Sequence, residues 1–206
     1  RVFTREGAND ELDLDATIDK TCRNAGWLSL EMVPEKRNRV KVLVLFDVGG
    51  TMDDHVMLCS QLFSAAKHEF KHLVYFYFHN CLYETVWKDN NRRNERIPTM
   101  ELLHKYNRDY KVIIVGDAYM SPYEITSPGG SVEHYNEEAG IVWLERLKAQ
   151  YEYVVWLNPN SEQHWQWADS TKILRNFFEQ RMFPFTIEGL SMAMKALKDK
   201  KVTYKD

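Results

Sequence analysis

Val40-Lys41-Val42-Leu43-Val44-Leu45-Phe46-Asp47-Val48-Gly49-Gly50-Thr51-Met52-Asp53-Asp54 is the stretch that decides the fold. Residues 40–46 are apolar almost without a break, too few for a helix and rich in β-branched side chains. They predict a strand buried on both faces of a parallel sheet. The run stops on Asp47, at the carboxyl end of the strand, where ligands of open α/β sheets bind. Gly49-Gly50 permits a tight turn, and Thr51, Asp53 and Asp54 lead into an apolar-periodic helix over 53–68. An acid, two glycines, a hydroxyl and two further acids at such a junction point to a cation site. The plainer alternative is a helix-capping turn with Thr51 or Asp53 as N-cap, but capping gives no reason for Asp47.

A second anchor lies downstream. Residues 112–115 are again wholly apolar, and Gly116-Asp117 follows at once. Two buried strands thus each deliver an aspartate to one edge of a sheet. Carboxylates about 5 Å apart repel by about 3 kcal/mol at an effective dielectric near 20. A helix N-terminus offsets part of this, and a hard divalent cation would offset the rest. Hydroxyls, carboxylates and retained waters suit Mg²⁺ or Mn²⁺, whereas no His/Cys cluster points to zinc or copper.

Working outward, strands are expected over 73–78, 82–87, 153–157 and 183–185. The second of these is tied to the first by a hairpin at His79-Asn80-Cys81. Helices are expected over 99–106, around Val142, Leu144 and Leu147, around Ile173, Leu174 and Phe177, and from Ile187 to Leu197. Lys88 to Arg96 reads as a polar loop, and 120–136 as a long ordered rim. The expectation is an α/β fold, a doubly wound, mostly parallel six-stranded sheet with one antiparallel edge strand. Before it, Asp10 caps a helix carrying Leu14, Ile18 and Cys22, and a short strand over 28–32 and a basic turn follow. Residues 1–39 thus form an extension, and 40–206 the domain.

The 206 residues carry a net charge of −3, which argues against bulk-charge binding to nucleic acid or a membrane surface. Cys22, Cys59 and Cys81 show no CxxC spacing, which fits a reducing, cytoplasmic setting. No transmembrane run or signal peptide is visible, so no membrane insertion is expected. The chain opens on Arg1 and reads as a possible piece of a longer protein.

Asp47-x-Gly49-x-Thr51 after the first strand, Thr99 ahead of a helix and Asp117 after the fourth strand resemble a von Willebrand factor A (VWA) domain. That family's metal-ion-dependent adhesion site uses Asp-x-Ser-x-Ser, a Thr and an Asp on three loops. Asp47 and Thr51 match the first loop, Thr99 the second and Asp117 the third. Gly49 stands where the first serine belongs, so one hydroxyl ligand is missing and a water would take its place. With Leu12-Asp13-Leu14-Asp15-Ala16-Thr17, Gly26 and the basic turn, the resemblance extends over about residues 11–198 to the CoxE-like bacterial subgroup. It implies a metal-dependent protein-interaction module that works with a MoxR-type AAA+ ATPase and a target enzyme in metalloenzyme assembly or activation. The loops at the metal edge supply the expected partner contacts Met52, Arg92, Arg93, Tyr119, Met120 and Tyr123.

An enzyme reading stands beside it. Asp47-Val48-Gly49-Gly50-Thr51-Met52 also resembles the Asp-x-Asp-Gly-Thr motif of haloacid-dehalogenase-type phosphatases, with Asp47 as nucleophile and Asp117 as a magnesium ligand. Against it, Gly49 replaces the acid that would protonate the leaving group. No second acid follows Asp117 within the next few residues.

Overall fold

The computed structural model describes residues 10–12, 32–34, 38–52, 55 and 70–204. The chain divides into two units, Arg1–Asn38 and Arg39–Asp206. In the first, β1 (Asp10–Leu12) pairs antiparallel with β2 (Met32–Pro34). Asp10, expected as a helix cap, is therefore a strand residue opposite Pro34. The expected helix over Leu14 to Cys22 and most of the strand over 28–32 lie outside the described residues, as does the helix over 53–68 apart from His55.

The second unit is built on a sheet of β3 (Asn38–Asp47), β4 (Phe70–Phe78), β5 (Thr85–Trp87), β6 (Arg96–Pro98), β7 (Tyr110–Val115), β8 (Val154–Asn158) and β9 (Met182–Pro184). Their spatial order is β6-β5-β4-β3-β7-β8-β9. The pairs β3–β7, β7–β8 and β8–β9 are parallel, while β4–β5 and β5–β6 are antiparallel. The sheet is thus mostly parallel with an antiparallel margin, as expected, but it holds seven strands and not six. The added strand is β6, at the end of the stretch read as a polar loop. Arg96-Ile97-Pro98 carries a charge and a proline, which a central strand would not tolerate but an edge strand does. Both edge strands, β6 and β9, are three residues long and end in proline.

Alternation along β3 explains the unbroken apolar run. Leu43 and Leu45 point into one cluster with Phe76, Phe78, Ile114 and Trp156. Val42, Val44 and Phe46 point into another with Ile113, Val115 and Leu157. Side chains of period two therefore fill a core on each face. The first face is covered by α1 (Thr99–Lys105), α2 (Pro122–Thr126), α3 (Gly140–Gln150) and α5 (Asp169–Phe177), which contribute Leu102, Ile125, Leu147 and Leu174. On the second face α6 (Ile187–Ala196) contributes Ala193 and Ala196. A short α4 (Glu162–Trp165) lies between β8 and α5. Among the described residues no helix is long and apolar enough to cross a membrane.

This two-sided core predicts that Leu45→Ala, at a side chain 1 % exposed, costs about 2–5 kcal/mol in urea unfolding. A loss well below that range would mean that the first-face cluster does not close over β3.

Candidate metal centre

The register of β3 with β7 sets the site. Phe46 lies opposite Val115, so Asp47 and Gly116-Asp117 leave the sheet side by side at the carboxyl ends of its adjacent central strands. The contact is close: a Cβ on Gly116 would lie 2.9 Å from Asp47 Cβ and 3.2 Å from the Trp156 ring. Only glycine lets the second strand pass the first acid at this distance. Trp156 Nε1–H fixes the same residue by donating to Gly116 O at 2.7 Å.

Asp47 and Asp117 are each 2 % exposed. Burial, and then the neighbouring charge of Asp117, push the Asp47 carboxyl well above the usual carboxylate range, with a smaller contribution from Glu124. The N–H groups of Asn80 and Val48 oppose the shift without cancelling it. Asn80 N–H donates to Asp47 Oδ1 at 2.7 Å. Asn80 itself has φ 54°, a left-handed conformation that Asn tolerates better than most residues. It sits at the tip of the β4–β5 connection, where a bridge joins His79 to Cys81.

The loop after β7 is held as tightly. Tyr119 N–H donates to Asp117 Oδ1 at 2.9 Å, and Asn158 Nδ2–H, from the end of β8, donates to Asp117 O at 2.8 Å. Ala118 has φ 58°, an uncommon conformation for alanine, and its carbonyl accepts from Ser170 Oγ at 2.8 Å and Thr171 Oγ1 at 3.0 Å. Three elements, β7, β8 and α5, thus converge to fix one aspartate in a backbone conformation that an unsupported loop would relax.

Sequence reasoning missed the third acid. Glu124, on α2, is 2 % exposed, and both its carboxylate oxygens accept from Asn80 Nδ2 at 3.2 Å. Ser121 N–H also donates to Glu124 Oε1. The signal was present in Ser121-Pro122-Tyr123-Glu124, a Ser-x-x-Glu spacing with proline at the first helical position. The sequence places it inside the rim expected over 120–136, where no helix is expected. The rest of that rim is pinned to the β4–β5 connection by two histidine–carboxylate contacts. His79 Nε2 lies 3.5 Å from Glu133 Oε1, and His134 Nε2 lies 3.3 Å from Glu84 Oε2.

The other expected ligands are placed differently. Thr99 is fully buried at the start of α1, and its hydroxyl donates to Tyr83 O at 2.6 Å, leaving oxygen lone pairs as all it could offer a metal. Thr51 falls in a 3-10 turn (Gly50–Met52), and its side chain lies outside the described residues, as do Asp53 and Asp54. Of the expected partner contacts, Tyr119 and Tyr123 are 59 % and 70 % exposed. Arg92 and Arg93 are exposed, and the Arg93 guanidinium reaches toward Gly49. Met120 is half-buried against the first-face core. Met52 is only 1 % exposed and is a core side chain, not a surface contact. Tyr75, Tyr135 and Trp167, 43 %, 78 % and 75 % exposed, are further aromatics left in solvent that the expected set lacked.

Two outcomes follow from this geometry. Because burial raises the folded-state pKa of Asp47, its contribution to stability is fully present below about pH 4. It is lost as pH rises through the raised value. In chelator, wild-type protein should therefore lose stability as pH climbs out of the carboxylate range, and Asp47→Asn should lose less. Superimposable pH–stability curves would show that the carboxyl ionises without cost. Second, Gly49 has φ 98°, and a Cβ there would meet the His79 ring at 2.8 Å. Gly49→Ser should therefore lower stability by about 1–3 kcal/mol rather than restore a hydroxyl ligand. A gain in stability in Mg²⁺ would reverse that conclusion.

Comparison with known proteins finds no family model, no curated protein and no solved structure that matches this chain.

Proposed function

We propose that the chain is a metal-dependent protein-interaction module of the VWA type, with Mg²⁺ or Mn²⁺ held at the Asp47–Asp117 edge. The observation that carries this reading is the pair of buried carboxylates delivered by adjacent parallel strands, with Asp47 pushed well above the usual carboxylate range by burial and by Asp117. Two carboxylates brought together in this way suit a hard cation with oxygen ligands. Asp47 and Asp117 would hold it, Thr51 and Thr99 would add hydroxyl oxygens, and water would stand at Gly49. When bound, the ion would neutralise the site and offer an open position to an oxygen ligand of a partner.

The strand order supports the same reading. Counted from β3 as first, the chain runs 3-2-1-4-5-6 across β5-β4-β3-β7-β8-β9, the doubly wound arrangement, and its direction reverses between β3 and β7. The candidate metal edge lies at that reversal. The partner in this reading is a MoxR-type AAA+ ATPase acting with a target metalloenzyme in the cytoplasm, a setting in keeping with Cys81 as a free, buried thiol. Exposed Tyr119, Tyr123 and Arg93 are side chains of the kinds enriched at interfaces. The phosphatase alternative is less well supported, because an Asp47 only 2 % exposed and displaced toward its protonated form is a poor nucleophile toward an ester in solvent.

Millimolar Mg²⁺ should raise the melting temperature by mass action, and Asp117→Ala should abolish the shift. A pull-down with a MoxR-type ATPase should weaken in EDTA, in Asp47→Ala and in Tyr123→Ala, and survive substitution of Lys198 or Lys200. Binding indifferent to chelation and to Asp47→Ala would place docking elsewhere. Phosphate-ester turnover lost in Asp47→Asn would favour the phosphatase reading.

A further inference from the structure

Asn80 occupies a singular place in the site. Its backbone N–H holds Asp47 Oδ1 at 2.7 Å while its side-chain amide spans both oxygens of Glu124 at 3.2 Å. One residue therefore ties the acid of β3 to a second acid on α2. Neither contact is a product of regular structure. Asn80 is held at φ 54° on the tip between β4 and β5, and Glu124 stands 44 residues further along the chain. The base of α2 is itself fixed, since Tyr83 Oη–H donates to Glu124 O at 2.9 Å and a Cβ on Gly140 would press on the same carbonyl at 2.8 Å. Glu124 is thus a rigid post, and Asn80 is the arm that reaches from it to Asp47.

We infer that Asn80 and Glu124 form a positioning clamp for Asp47, fixing the direction in which its carboxylate meets a divalent cation. This rests on the metal reading proposed above and adds two residues to it, neither of them a ligand. With Oδ1 engaged by the Asn80 N–H, the direction that Asp47 presents to an ion is set by where Asn80 stands. Without the clamp the carboxylate would rotate among several directions, and binding would have to select one. Partners of this kind, one step behind the ligands, typically change metal affinity 10–100-fold when removed. Glu124 also places a further negative charge within reach of Asp47, so its loss weakens attraction for the cation as well as orientation.

The test measures Mn²⁺ binding to the full chain by the electron paramagnetic resonance signal of free Mn²⁺, with melting temperature in chelator recorded beside it. Asn80→Gly keeps the left-handed backbone and the N–H to Asp47 but removes the arm. Glu124→Gln keeps an acceptor but removes the charge. Each should weaken Mn²⁺ binding about 10–100-fold, and the double variant should be little weaker than the poorer single one, because the two act as one unit. Tyr151→Phe, which removes a hydrogen bond to Tyr106 O at the other end of the sheet, should lower the melting temperature and leave Mn²⁺ affinity unchanged. If Asn80→Gly does not fold, Glu124→Gln carries the test alone. Wild-type binding with unchanged affinity in the variants overturns the clamp and leaves the metal reading standing. Equal weakening by Tyr151→Phe also overturns it, since the effect would then be global. A wild-type chain that binds no Mn²⁺ overturns both.

Discussion

Two carboxylates removed from water at the ends of adjacent central strands are the constraint around which the domain is arranged. Desolvation and the charge of Asp117 both oppose ionisation of Asp47, and the repulsion cannot be relieved by moving apart while β3 and β7 keep their register. Several neighbours limit that cost or hold the two acids in place. Asn80 and Val48 turn N–H groups toward Asp47, Asn158 and Tyr119 hold the Asp117 loop, and Ser170 and Thr171 anchor the carbonyl of Ala118. Glycine at Gly116 makes the approach sterically possible. These groups come from five separate parts of the chain, so the site exists only once the whole sheet has formed.

The same constraint separates what the sequence discloses from what it hides. β3 and β7 were legible because a strand buried on both faces has no polar position to interrupt its run, and because each ends on an acid. Glu124 was not, because a glutamate on a five-residue helix looks solvated until α3 is packed over it. Asn80 was legible as a turn residue but not as a link between two acids, since that role depends on a neighbour 44 positions away. Met52 follows two glycines and a threonine, a context that reads as surface, yet its side chain is buried. Long-range pairing also concealed β6, whose three residues become a strand only because β5 offers them a partner.

Backbone conformation tells a parallel story. Asn80 and Ala118, at φ 54° and 58°, lie beside Asp47 and Asp117 respectively, one on each side of the candidate centre. Such conformations cost free energy in an isolated loop and persist where surrounding contacts over-determine them. Here the contacts are visible: the bridge between His79 and Cys81 on one side, two hydroxyls from α5 on the other. The centre is therefore stiff before any ligand arrives, and an ion entering it would have little ordering left to do.

The two margins of the sheet have a consequence for how this domain meets other chains. β6 and β9 offer three residues each, and Pro98 and Pro184 remove a backbone donor from the end of each. A foreign segment laid alongside either margin would find at most one or two main-chain hydrogen bonds, too few to hold an extended peptide in register. Donor-strand exchange and edge-to-edge stacking into fibres are thus disfavoured by construction. What the margins withhold, the loops at the carboxyl end of the sheet can offer: side chains rather than peptide backbone, so that a point substitution there changes the surface without disturbing the sheet beneath.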